Sequence, residues 1–253
     1  MIIVKLGGSI ISDKTTPFSF NEGVVRHIAD EIAAVYPRQK FVLVHGGGSY
    51  GHPLARKYGI REGLGKRDRS MGFTRTHQAM LELNHKIVSV LLEKELPAFP
   101  VAPSSLFILR DGEVVHGDLT VVQELLAREF IPVLFGDVAL AEDRGIDILS
   151  GDQIITYLAR KLEPEKVIFL MDVDGIYDKD PKKHPDARLV EVVEDPSSIA
   201  GETGTFDVTG GIHNKLVQAF KLPCPAWFIN GMVKGNLTRA LRGEQVGTRV
   251  KRN

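Results

Sequence analysis

The chain has 253 residues, enough for one large domain or two modest ones at roughly 150 residues each. Its 32 Lys and Arg balance 32 Asp and Glu, which excludes an acidic disordered chain and leaves no global charge reason to expect nucleic acid. The single cysteine, Cys224, excludes an intramolecular disulfide or Cys-rich zinc site and suits a reducing cytoplasm; no apolar stretch approaches the ~18 residues of a membrane helix. Glycine alone departs from the average, at 25 residues or about 10% against a usual ~7%.

Ile2–Leu6 is a short apolar run interrupted by Lys5 and followed by Gly7-Gly8-Ser9. Val25, Ile28, Ala29, Ile32, Ala33 and Tyr36 recur at helical spacing, which predicts an amphipathic helix over Glu22–Tyr36. Phe41–Val44 reads as a buried strand ending in His45 and Gly46-Gly47-Gly48. A charged loop, Arg61–Arg69, leads to a long helix predicted over Met71–Glu95, with Met80, Leu83, Ile87, Val88 and Leu91 on one face. Ala98–Ala102 reads as a strand, Leu106–Val115 as a hairpin around Asp111-Gly112, Leu119–Glu129 as a helix and Ile131–Phe135 as a strand. Val138–Leu149 holds a second hairpin candidate at Asp143-Arg144-Gly145. Ser150 stands three residues before Gln153, a capping-box spacing, and opens a helix to about Lys161. Val167–Met171 is a continuous apolar run of the kind a parallel sheet buries on both faces. It ends in Asp172-Val173-Asp174-Gly175, before a polar loop with Pro181 and Pro185. Thr209-Gly210-Gly211 precedes a helix to about Phe220, Ala226–Ile229 is a strand and Asn236–Leu241 a last helix. The alternation predicts an α/β fold, a three-layer αβα sandwich with a mostly parallel central sheet. A soft boundary near Gly136–Asp143 divides one domain into lobes of about 1–140 and 141–253 over one continuous sheet.

Three glycine clusters, Gly7-Gly8, Gly46-Gly47-Gly48 and Gly210-Gly211, fall where a strand ends and a helix or loop begins. Backbone N–H groups at such junctions bind anions, and glycine lets a phosphate approach; tight turns under packing constraint are the alternative. Gly46 to Gly51 formally matches G-x-G-x-x-G, but no second strand ending in an acid follows about twenty residues on. His52-Pro53 stands where a P-loop needs Lys-Ser/Thr, so that reading fails too. Lysines from separate strand ends could supply the missing charge: Lys5, Lys14 just after the first strand, and Lys215 one turn beyond Gly210-Gly211. Phosphoryl transfer needs positioning and positive charge around the group in flight more than covalent help. A lysine amid Ile2, Ile3, Val4 and Leu6 needs a buried partner or an anion. Asp152, at the start of the capped helix, is a candidate partner, with stabilisation by the helix dipole as its plainer role.

Five blocks stand in order: Lys5-Leu6-Gly7-Gly8-Ser9 with Lys14; His45 through Gly46-Gly47-Gly48-Ser49-Tyr50-Gly51 to His52; Ser150-Gly151-Asp152-Gln153; Asp172-Val173-Asp174-Gly175-Ile176-Tyr177; and Asp207-Val208-Thr209-Gly210-Gly211 with Lys215. In these blocks, which span nearly the whole chain, the sequence resembles the amino acid kinase family. The resemblance implies ATP on the C-terminal lobe, the phosphate acceptor on the N-terminal lobe, and a homodimer. Lys5, Lys14, Asp152 and Lys215 would be catalytic, the lysines surrounding the phosphoryl group and Asp152 orienting them. Gly47, Gly48, His52 and Gly151 would bind the acceptor. Lys5, Gly7, Gly8, Ser9, Gly48, Asp172, Asp174, Gly175, Tyr177, Gly210 and Lys215 would bind ATP, with Mg²⁺ carried mainly on the ATP phosphates and water. His52 resembles the branch of the family whose acceptor is isopentenyl phosphate, so the reaction implied is ATP-dependent formation of isopentenyl diphosphate. Ile212 stands where such kinases often carry methionine, and His213-Asn214 are bulkier and more polar than the pattern. Another small phosphate, a phosphonate or a carboxylate as acceptor, and a non-catalytic ligand-binding role, remain the alternatives.

Overall fold

The computed structural model describes residues 1–251 apart from 14, 66, 180, 182 and 195–209, and gives the backbone alone for 67 and 210–214. The described elements begin with β1 (Ile2–Leu6), α1 (Gly8–Ile11), α2 (Glu22–Ala33), β2 (Phe41–His45), α3 (Gly48–Lys57) and α4 (Arg67–Glu93). Then come β3 (Ala98–Pro100), β4 (Phe107–Arg110), β5 (Glu113–Gly117), α5 (Thr120–Ala127), β6 (Ile131–Phe135), β7 (Asp137–Ala141) and β8 (Gly145–Leu149). The rest are α6 (Gly151–Leu162), β9 (Lys166–Met171), β10 (Val192–Val193), α7 (Gly210–Phe220), β11 (Ala226–Asn230), α8 (Asn236–Leu241) and β12 (Thr248–Val250).

β1 lies inside a sheet ordered β10-β12-β11-β9-β1-β2-β6-β3, in which only the β11–β12 pair is antiparallel. Side chains of a strand alternate between faces, and β1 uses both. Ile2, Val4 and Leu6 pack into a core shared with α2, α4 and α8, whereas Ile3 joins the core under α5, α6 and α7. Helices on both faces make the αβα sandwich predicted above. Lys5 is in phase with Ile3, so its side chain faces the α6 layer.

The expectation of one continuous sheet is corrected. Both hairpins form, but β4 and β7 pair to make a second sheet, ordered β5-β4-β7-β8. A single residue, Gly136, separates β6 from β7, and there the chain leaves the main sheet. Asp111 and Gly112 both have positive φ, 51° and 72°, the backbone that a two-residue hairpin turn requires.

Several ends differ from the sequence reading. α4 starts at Arg67 rather than Met71, so the charged stretch Arg61–Arg69 is only partly loop. Arg69 in its first turn donates to the carbonyls of Glu62 and Gly63 and pairs with the Glu62 carboxylate. The apolar period begins later than the helix, which hid this turn. α2 stops at Ala33, three residues short of Tyr36. α1 and α3 were hidden behind glycines of poor helix propensity, and in α3 also behind Pro53. α7 includes Gly210-Gly211 instead of following them. β10 and β12, of two and three residues, carry too few positions to show a period. No described helix is long and apolar enough to cross a membrane.

Candidate active site

At the C-terminal edge of the main sheet, Lys5 and Asp152 meet across 147 positions of sequence. Lys5 is 5% exposed, and its ammonium donates a short hydrogen bond to Asp152 Oδ1. Lys215, in the second turn of α7, reaches the other oxygen, Oδ2, at 3.3 Å. Asp152 is held in place by its helix: Ser150 Oγ accepts from Gln153 N at 3.2 Å, and Ser150 N donates to Gln153 Oε1 at 2.7 Å, closing the capping box. Burial pushes the Lys5 pKa down to about 8, against the opposing pull of Asp152. Burial also acts to raise the Asp152 carboxyl, but the two lysines outweigh it and hold it below the usual carboxylate range. The result is one ionised carboxylate aiming two cations into the cleft.

The glycine clusters after β1 and β2 form a seam where two backbones touch. A Cβ on Gly8 would lie 2.8 Å from Gly48 N, and one on Gly46 would lie 2.9 Å from Gly8 N. Gly48 also has φ +49°. Ser12 fastens the seam, donating from Oγ to Gly8 O and accepting from Ser49 N, each at 2.9 Å. Among the described residues, the N–H groups of Gly8, Ser9, Gly47 and Gly48 donate to no other group. They belong to the first turns of α1 and α3, where unsatisfied donors favour an anion. No sequence signal pointed to Ser12, because its role depends on a contact between two loops.

One cavity of about 170 Å³ joins these parts. Its polar and charged lining includes Lys5, Gly47, His52, Arg61, Gly151, Asp152 and Lys215. Its other walls include Ala55, Met80, Val138, Ile148 and Leu149, which sequence reasoning did not assign. Of the helix residues noted earlier, Met80 lines this cavity and Leu83 is core; Phe73, on the same helix, packs in a small cluster with Ala55, Ile60 and Val138. Gly51 admits Met80, whose sulfur would lie 2.7 Å from a Cβ there. Asp137, buried in the cavity wall, accepts from His77 Nδ1 at 2.8 Å, and that hydrogen bond raises the His77 pKa. A wider cleft of about 490 Å³ shares His52, Arg61, Ser150, Asp152 and Lys215 and adds Arg144 and Asp147.

A second polar cluster lies beyond the seam. Ser9 Oγ donates to Asp172 Oδ1 at 2.9 Å, tying the first loop to the end of β9. Asp174 accepts from Asn230 Nδ2 at 2.8 Å and from the Tyr177 hydroxyl at 3.3 Å. Gly175 packs on Thr248, and Gly7 on the Leu170 carbonyl, so each fits only without a side chain. Asn230 was missed, although a polar residue closing the apolar run of β11 before Gly231 is the signal that could have found it. Gly210 opens α7, while Lys14 and 207–209 lie outside the described residues.

A cleft holding Lys5 and Lys215 over glycine-rich strand ends in an αβα sandwich fits a class of phosphoryl-transfer proteins. The chain belongs to the amino acid kinase family, whose sequence profile matches residues 1–223. It is 38% identical over 264 residues to the isopentenyl phosphate kinase of Methanothermobacter thermautotrophicus, covering 99% of this chain and 98% of that one. With the isopentenyl phosphate kinase of Methanocaldococcus jannaschii it shares 34% identity over 261 residues, at 99% and 98% coverage. A crystallographically solved isopentenyl phosphate kinase superposes with a TM-score of 0.88 at 35% identity, covering 99% of this chain and all of the other. UMP kinase from Bacillus anthracis, at 21% identity and a TM-score of 0.66, shares the fold.

Proposed function

We propose that the protein transfers the terminal phosphoryl group of ATP to isopentenyl phosphate, giving isopentenyl diphosphate and ADP. The observation that carries this reading is a single cavity lined both by donors and cations, among them Lys5, His52 and Lys215, and by apolar side chains, among them Ala55, Met80 and Val138. An acceptor with a dianionic head and a short hydrocarbon tail matches both kinds of lining. The phosphate oxygen that attacks is already ionised near neutrality, its second pKa being about 6, so no general base is needed. Gly47 N–H, Gly151 and His52 hold the acceptor phosphate. Gly8, Ser9 and Gly48 face the ATP phosphates, and Asp174, Gly175, Tyr177 and Gly210 the nucleoside side. Lys5 and Lys215, aimed by Asp152, bear on the group in flight, and we assign Lys14 to the same charge. Both Asp152 oxygens are engaged by lysines. The Mg²⁺ that accompanies ATP would therefore rest on the nucleotide's phosphate oxygens and water, where it neutralises charge. A cytoplasmic homodimer is part of the proposal. Its support is that β3 forms the outer strand of the main sheet and carries Phe99, 44% exposed, edge-on to Phe130.

The test is a coupled ADP-release assay with isopentenyl phosphate, dimethylallyl phosphate, UMP, acetylglutamate and a phosphonate. Turnover should be confined to the isoprenoid phosphates or strongly favour them; preference for UMP or acetylglutamate would refute the acceptor. His52→Ala should lower kcat/KM for isopentenyl phosphate at least about tenfold, the size of a hydrogen bond to a charged group.

A further inference from the structure

His45 is a buried histidine that the chemistry above does not use. It ends β2 immediately before the glycine seam, is 0% exposed, and stacks on Phe135 with ring centroids 5.4 Å apart. Its Nδ1 lies 3.0 Å from the carbonyl oxygen of Gly46. Its Nε2 lies 3.1 Å from Nδ2 of Asn84, a residue 1% exposed on α4. The same Asn84 Nδ2 points at the carbonyl of Val133 in β6, at 3.4 Å.

These contacts admit one arrangement of protons. A carbonyl oxygen only accepts, so Val133 O requires the NH₂ end of Asn84 to face it. The remaining hydrogen of that NH₂ then points at His45 Nε2, which must accept it. With Nε2 an acceptor, the proton of the neutral imidazole sits on Nδ1, where Gly46 O receives it. Burial lowers the His45 pKa to about 4, so the ring stays neutral throughout the working range. A histidine held this way is no acid or base. It is a fixed donor to one peptide group.

That peptide is the one joining Gly46 to Gly47. In a trans peptide the C=O and N–H point in opposite directions, so tying down the carbonyl also fixes the N–H. The N–H at the far edge belongs to Gly47, a residue that lines the cavity, and it donates to no other described group. Glycine on both sides of this bond gives the peptide plane unusual freedom to flip, and a flipped plane would present a carbonyl to the anion. The remaining anchors do not prevent a flip of this plane: Gly46 N donates to Leu6 O, while Gly47 O accepts from Tyr50 N and Gly51 N.

We propose that His45 and Asn84 form a positioning pair for phosphoryl transfer, holding the Gly46–Gly47 peptide so that the Gly47 N–H faces the acceptor phosphate. The inference rests on the reading of Gly47 as an acceptor-phosphate donor. It extends the site from the cavity lining to a buried relay running from β6 through α4 to the seam. Its signature is a selective loss: acceptor binding depends on the pair, while the nucleotide side, held by Ser9, Asp174 and α7, does not.

The experiment compares His45→Phe, which keeps an aromatic ring against Phe135 but has no donor, with His45→Asn, whose amide NH₂ can take the place of Nδ1–H. KM is measured separately for isopentenyl phosphate and ATP. His45→Phe should raise KM for isopentenyl phosphate about tenfold while leaving KM for ATP within about twofold, and His45→Asn should recover most of that loss. Equal rises in both KM values, no rise in either, or equal behaviour of the two variants would overturn the proposal. Nitrogen NMR of the wild-type imidazole gives a second readout should His45→Phe not fold: a proton on Nδ1 supports the relay, and a proton on Nε2 ends it. Failure of the substrate reading would show in the wild type, as preference for another anionic acceptor, and the variant comparison would then be made on that acceptor.

Discussion

Lys5 shows how much one side chain's surroundings decide. The same lysine on a surface would be a solvated cation with little influence on anything. Inside β1 its charge is costly, Asp152 offsets part of that cost, and the ammonium pKa is left well below its ordinary value. With a pKa of about 8, Lys5 is charged below that pH and loses its charge as pH rises through it. We therefore expect kcat/KM for ATP to fall above about pH 8. Bound phosphates favour the ammonium, so kcat should hold to higher pH, and the two profiles measured together check the assignment. Lys14 bears on a different quantity. Lys5 and Lys215 share one carboxylate, so the cluster has little charge to spare for the transition state. Lys14→Ala is expected to lower kcat by about 10²–10³ while changing either KM only a few-fold, the pattern of an interaction made in the transition state. An equal loss confined to ATP binding would count against that role.

Elements matter here chiefly through where they start. α1, α3 and α6 each begin directly after a strand or its cap, and each brings its first turn to the same edge of the sheet. The seam between α1 and α3 works only because Gly8, Gly46 and Gly48 have no side chains in the gap. Gly8→Ala would drive a methyl group into Gly48 N and push the loops apart. A displacement of that kind should cost about 10² in kcat/KM with the fold intact by circular dichroism. Gly243 is the control, since its φ is +80° but a Cβ there meets nothing within 4 Å. Gly243→Ala should therefore lose about 1–2 kcal/mol of stability in denaturant titration and leave activity alone. This contrast also marks what could be read from the chain. The Ser150–Gln153 box, the hairpins and the three glycine clusters are local patterns and were legible. Ser12, Asn84 and Asn230 act through partners distant in sequence, and no local pattern announces them. The same holds for the second sheet, which depends on β4 finding β7 rather than on either strand alone.

At the scale of the whole molecule, the balanced charge proves to be a matter of placement. The cations that count are gathered at one edge of the sheet, and most other ion pairs lie on the surface, where each contributes little. The main sheet also has an outer strand, β3, that exposes Phe99 beside Phe130. Phe99→Glu should shift the sedimentation of the proposed homodimer towards that of a monomer, and an unchanged sedimentation coefficient would place the dimer contact elsewhere or nowhere.

β1 is made first and completed late. Its neighbour β2 follows within the first fifth of the chain, but its other edge waits for β9, whose Lys166 pairs opposite Ile2. While the chain is being synthesised, that edge is an open row of amides beside Ile2, Ile3, Val4 and Leu6, the kind of strand that adheres to other chains. Lys5 interrupts the row, and a charge in such a strand is a known guard against aggregation. Until Asp152 and Lys215 arrive, the charge of Lys5 thus keeps the unfinished sheet from finding the wrong partner.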